Sequence, residues 1–209
     1  MPDYLLHGFK ESGNAYKAAL MLELSGCDWH CRWVDFFNGE TKGEVYRDEV
    51  NAMGEVPVLE HGSVRLAQSG VILDYLAAET GKFGPTSEEE RREILRWVLW
   101  DNHKLTSYTA TYRFLRTFVP NAQSAVLEFF RQRMISALSV LDRHLTDRTF
   151  IVTGRPTTAD LSICGYLFFE DEFGVDWSGY PGIEGWLARI KDLPGWQHPY
   201  DLLPDRPTG

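Results

Sequence analysis

A proline inside an apolar run, Glu55-Val56-Pro57-Val58-Leu59, is the most restrictive feature of this chain. Proline gives a sheet no backbone donor, so within a sheet it is confined to the first residue of a strand or to an exposed edge. The residue before it, Val56, can then keep its N–H and C=O out of the ladder and offer them to something else. About nine residues beyond Leu59, Gln68 and Ser69 stand at the start of an apolar helical run. The first N–H groups of a helix have no intrahelical partner and carry the positive end of its dipole, which suits an anion. Together the two segments have the form of a peptide clamp, with an extended backbone for strand-like pairing and a helix N-terminus for a carboxylate. Taken alone, the two segments read better as an ordinary hairpin entry and an ordinary serine cap.

The first helix shifts that balance. Tyr4 to Phe9 reads as a short buried strand, and Ser12-Gly13-Asn14 opens a helix from Ala15 to Leu24 with Ala15, Ala18, Ala19 and Leu22 at helical spacing. A strand over Cys31 to Phe36 and a second helix follow. Next come Val56 to Glu60, a turn at Gly62, Val64 to Leu66, and a helix from Ser69 to Glu79. This is the order of a thioredoxin-like domain. With Ser12-Gly13-Asn14, Val56-Pro57, Gln68-Ser69 and the later Thr157-Thr158-Ala159-Asp160 in that sequence, the chain resembles the glutathione transferase superfamily over essentially its whole length. The Ser-Gly-Asn start is similar to that of bacterial members, and it implies a serine-type rather than a tyrosine-type enzyme. The fold class implied is α/β plus all-α. A thioredoxin-like domain over residues 1–80 is expected to bind glutathione. A linker over 81–86 and an all-helical bundle domain over 87–209, contributing the electrophile pocket, would follow.

Composition agrees with this reading. A chain of 209 residues can bury a core without staples. A formal net charge of -9 and a sequence pI of about 5.1 argue against nucleic acid and against an acidic membrane surface. No apolar run is long enough to span a bilayer, and Met1-Pro2-Asp3 does not begin a basic-apolar leader. Cys27, Cys31 and Cys164 form neither a disulfide framework nor a Cys-x-x-Cys pair. Cys27, His30 and Cys31 straddle a helix end and a strand start, where alternating residues face opposite ways, so no metal site is expected. The expectation is a soluble, cytoplasmic protein.

The second half is helical. Gly81 to Thr86 is turn-rich, and Ser87 precedes an acidic first turn from Glu88. One helix is expected over Glu88 to Phe118, a second from Pro120-Asn121 to Leu145, a third from Thr157 to Phe169, and a shorter one over Ile183 to Lys191. Thr157 and Asp160 suit a capping box with Asp in place of Glu, a structural role. Trp177, Trp186 and Trp196 are read as packing residues. The segment from Pro199 to Gly209, with three prolines, is expected to be a surface arm. Tyr108 and Tyr112 lie on the helix that walls the second-substrate pocket in the resembling family.

The chemistry implied is thiolate stabilisation. A free thiol has a pKa of about 8.5 and is mostly protonated at neutral pH, whereas the thiolate is the nucleophile. Ser12 at a helix N-terminus offers an O–H donor. A hydrogen bond to a charged group is worth roughly 1.5–3 kcal/mol and the helix end roughly 0.3–2 kcal/mol. Lowering a pKa by two units takes about 2.7 kcal/mol, so the two effects suffice without a general base. Asn14 is the rival donor, with Ser12 then only a cap. By position, the resemblance gives the Val56 backbone to the cysteinyl part of glutathione and makes Pro57 cis. It gives Gln68 and Ser69 to the γ-glutamyl α-carboxylate and Lys42 to the glycyl carboxylate. The family usually has an acidic residue where Gln68 stands, which leaves α-amino recognition weaker or supplied by a second subunit. Glutathione is then a co-substrate, no cofactor is expected, and a homodimer that detoxifies apolar electrophiles is implied. A glutathione-dependent disulfide reductase or ether-cleaving lyase, and a non-catalytic binding module, are the alternatives.

Overall fold

The computed structural model describes residues 3–206. By their internal contacts they form two compact units, one of residues up to Lys82 together with those from Leu193 onward, the other Phe83–Asp192. The first unit has a mixed four-stranded sheet in the order β2-β1-β3-β4. β1 (Tyr4–Gly8) pairs in parallel with β2 (Trp29–Trp33). α1 (Gly13–Ser25) makes the crossover that parallel pairing requires. β3 (Val58–His61) runs antiparallel to β1 and to β4 (Val64–Ala67), with His7 opposite Val58 and Leu59 opposite Leu66. A short α2 (Glu44–Glu49) precedes β3, and α3 (Ser69–Thr80) follows β4 and packs on α1.

Local chemistry sets these boundaries. Ser12 caps α1, its Oγ accepting the Ala15 N–H at 3.1 Å, and Gly26 ends the helix in the left-handed region at φ 69°. A Cβ on Gly8 would come within 2.8 Å of the Ala15 Cβ, so this glycine lets β1 and α1 close together and fixes where Ser12 lies. β2 begins two residues earlier than its apolar pattern suggests and ends at Trp33, because its register against β1 runs from Tyr4↔Trp29 to Gly8↔Trp33.

The second unit is helical: α4 (Glu88–Trp100), α5 (Thr106–Phe118), α6 (Ser124–Leu145), α7 (Thr158–Ile163), α8 (Glu170–Phe173) and α9 (Pro181–Lys191). The helix expected over 88–118 is continuous in backbone sense but contains a π turn at Asp101–Leu105. Asp101 is fully buried there, accepting from Thr106 Oγ1 at 2.8 Å and Ser162 Oγ at 2.7 Å. The π turn is the local adjustment that leaves this carboxylate inside. α6 starts at Ser124 rather than at Pro120, since Asn121 takes φ 58°. The helix from Thr157 is also shorter than expected, passing at Cys164 into a 3-10 turn that contains Gly165.

Thr157 and Asp160 form the expected capping box. The Asp160 carboxylate accepts four hydrogen bonds: Thr157 N–H at 2.8 Å, Thr157 Oγ1 at 3.0 Å, Ile151 N–H at 2.9 Å and Trp186 Nε1 at 2.9 Å. Trp186 is therefore more than a packing residue. The C-terminal segment also departs from expectation. It includes α10 (Pro199–Leu202), which packs on α1, and the Tyr16 hydroxyl donates to the Gln197 carbonyl at 2.8 Å. From Leu193 it belongs to the first unit, not to the helical one, and positions 207–209 of the expected arm lie outside the described residues.

Candidate active site

Three segments distant in sequence meet in the first unit. Ser12 and Asn14 lie at the N-terminus of α1, and Gln68 and Ser69 at that of α3. The packing of α1 on α3 brings these ends together, with Ser69 Oγ donating to Asn14 Oδ1 at 3.5 Å. Gln68 Nε2 donates to Glu55 Oε2 at 2.9 Å, joining the α3 end to the loop that carries Val56. The Val56–Pro57 peptide bond is cis. Among the described residues neither the N–H nor the C=O of Val56 has a hydrogen-bond partner in the chain.

Ser12 is nearly buried, at 6% exposure. Its Oγ uses a lone pair to accept from Ala15, and among the described residues its hydroxyl proton has no acceptor. One serine can thus cap α1 and still donate a hydrogen bond to an anion. Gln68 has φ 70° and ψ 114°, a backbone conformation that L residues rarely adopt. It turns the chain out of β4 so that α3 can begin at once, with Ser69 buried in the first turn. The first amides of α3 have no acceptor within the helix.

The protein's own thiols are poor candidates for the nucleophile. Burial pushes the Cys31 thiol up to about 12, burial also raises Cys27, and Cys164 is buried. Lys42 is exposed at the end of a 3-10 turn (Glu40–Lys42). That turn lies against the Val56 loop: a Cβ on Gly54 would meet the Thr41 carbonyl oxygen at 2.7 Å. In the helical unit Tyr112 is buried and Tyr108 is half-buried, with the Arg133 guanidinium 5.8 Å from the Tyr108 ring centroid.

Sequence reasoning missed the residues that hold the Val56 loop. The Glu55 carbonyl accepts from the Tyr46 hydroxyl at 3.0 Å and from Asn51 Nδ2 at 2.9 Å. Tyr46 is buried, and burial pushes its phenol up to about 12, so it stays a neutral donor. Gly54, at φ 67°, turns the chain into this position. Gly54 before an apolar Val-Pro was the one signal that could have exposed the arrangement.

The model of the glutathione S-transferase N-terminal domain matches residues 12–79, and that of the C-terminal domain matches residues 105–194. A glutathione S-transferase from Pseudomonas fluorescens Pf-5 is 30% identical; the match covers 95% of this chain and 100% of that one, with a TM-score of 0.90. The chain belongs to the glutathione transferase superfamily. A glutathione S-transferase-like protein of Beauveria bassiana is 25% identical over 200 residues, 90% of each chain. The disulfide-bond oxidoreductase YfcG of Escherichia coli is 24% identical, with 89% of each chain covered.

Proposed function

We propose that this chain is a serine-type glutathione transferase that adds the glutathione thiolate to an electrophilic centre of an apolar small molecule. The observation that carries the reading is the convergence of the Ser12 hydroxyl, the unpaired Val56 backbone and the α3 N-terminus within one unit. Val56 pairs with the cysteinyl backbone, the α3 amides and Ser69 take the α-carboxylate, and Lys42 takes the glycyl carboxylate. Ser12 donates to sulfur and, with the dipole of α1, holds it as thiolate. Tyr108 and Tyr112 contribute to the electrophile pocket. The protein works as a cytoplasmic homodimer that detoxifies its substrates. Among the described residues no helix is long and apolar enough to cross a membrane. Leu95 and Leu99, exposed one turn apart on α4, support a partner subunit.

A second reading, glutathione-dependent disulfide reduction, is favoured by the name of the Escherichia coli relative. Turnover of an aryl halide against a mixed disulfide of glutathione separates the two. Conjugation at the faster rate supports the transferase, and disulfide exchange with no conjugation refutes it. Failure to bind glutathione by calorimetry refutes both.

A further inference from the structure

We propose that Glu55 is the residue that reads the α-ammonium of the γ-glutamyl group, doing from the Val56 loop what Gln68, being neutral, cannot do from the α3 end. The inference rests on the glutathione site proposed above. A γ-glutamyl group carries its α-carboxylate and α-ammonium on one carbon, with the ammonium nitrogen and the carboxylate carbon about 2.5 Å apart. A site that takes the carboxylate at Ser69 and the first amides of α3 therefore has the ammonium beside those groups. The adjoining side chain, Gln68, has no charge to offer it. Its Nε2 donates instead to Glu55 Oε2 at 2.9 Å, and to Met53 Sδ at 3.4 Å.

That contact sets a carboxylate next to the α3 N-terminus. Among the described residues Glu55 has no Lys or Arg partner, and the single side-chain donor it meets is the Gln68 amide. Glu55 is exposed, with one oxygen meeting the Gln68 amide and, among the described residues, no countercharge of the protein's own. The Glu55 backbone is fixed as well, its carbonyl accepting from the buried Tyr46 and from Asn51. A positioned, unpaired carboxylate beside a carboxylate-binding helix end is complementary to an α-amino acid, with one sign of charge for each of its groups. Without a cation, Glu55 would face the incoming ligand carboxylates as a like charge.

The test compares glutathione with its glutaryl analogue, which lacks the α-ammonium, by calorimetric titration of the full chain. The native protein should bind glutathione about two- to fivefold more tightly than the analogue, the range for an exposed charge pair. Glu55→Gln keeps the shape and the contact with Gln68. It should lower glutathione affinity relative to the analogue by that factor, the analogue itself binding no more weakly than before, and so abolish the preference. The exchanged variant, Glu55→Gln with Gln68→Glu, should regain it, because the two side chains touch and the carboxylate has only moved across the contact. If Glu55→Gln keeps the native preference, or the exchanged variant stays indifferent, the assignment to Glu55 is overturned while the glutathione site stands. If the native protein binds neither ligand, the site itself falls and this inference with it.

Discussion

Ser12 caps α1 and, on the proposed reading, also donates to the glutathione sulfur, so one substitution tests both roles by separate readouts. In Ser12→Ala the Ala15 N–H loses its acceptor at 3.1 Å, in a place that is 6% exposed. Loss of such a cap costs about 0.5–2 kcal/mol of stability, and burial of the orphaned amide puts the expectation in the upper half of that range. Loss of the donor to sulfur removes about 1.5–3 kcal/mol of thiolate stabilisation, or roughly one to two pKa units. The dipole of α1 remains, so the pKa of bound glutathione should not return fully to the free value of about 8.5. Sign matters here. If Ser12 lowers the thiol pKa, its removal should leave less thiolate at neutral pH, and the rate deficit should vanish as pH rises through the new pKa. Glutathione affinity should change little, because the carboxylate contacts are elsewhere. The assay is ultraviolet titration of the thiolate in the binary complex, beside thermal unfolding of the free protein. Asn14→Ala is the control, since Asn14 touches Ser69 but caps nothing. If Ser12→Ala loses stability with no change in the thiol pKa, while Asn14→Ala raises it, the serine is only a cap and Asn14 is the donor.

Three further outcomes follow from the geometry. Asp160→Ala orphans four buried donors and removes a buried carboxylate, so a net loss of about 2–4 kcal/mol is expected in denaturant unfolding, with near-normal turnover in what remains folded. Gly54→Ala should cost about 1–2 kcal/mol from its φ of 67° alone, and the clash with the Thr41 carbonyl should shift the Val56 loop and weaken glutathione binding in calorimetry. Burial of Glu90 pushes its pKa up, but hydrogen bonds from Thr86 and Arg155 win and hold it below the ordinary glutamate value. Its stabilising contribution is present above the unfolded pKa and is lost as pH falls through the folded one, so acid unfolding of Glu90→Gln should have a shallower pH dependence there.

What the sequence made legible was local. Ser12, Ser87 and the Thr157–Asp160 box act within a few residues of themselves, so their chemistry is written in the adjacent sequence. Val56-Pro57 was legible because proline excludes most alternatives. The Glu55–Gln68 contact was not, since a whole hairpin separates partners that touch only once β3 and β4 pair. Nor was the π turn, because a single extra residue per turn slips the apolar period without erasing it. The C-terminal segment was misplaced for a similar reason: proline-rich stretches carry no periodicity, and its docking depends on Tyr16, 181 residues away from Gln197.

The two units differ in how they treat their polar groups, and that difference divides stability from function. In the helical unit Asp101 and Asp160 are fully buried, and every oxygen has a donor. Between them they tie α7 to the π turn through Ser162, to the Ile151 backbone, and to α9 through Trp186. Such groups are out of reach of a ligand and already bonded at each oxygen, and removing one leaves partners stranded in the core. In the first unit the opposite holds around α1 and α3. The Val56 backbone, the Ser12 proton and one Glu55 oxygen are left without partners among the described residues, while their neighbours hold them in place. On the proposed reading, that unused capacity meets a peptide with two carboxylates, an ammonium and a thiol. Substitutions in the first set should therefore change unfolding free energy more than binding. Those in the second should change ligand binding or thiol ionisation more than unfolding, with Ser12 the exception: as a cap and, on the proposed reading, a donor to sulfur, it should move unfolding and the thiol pKa together.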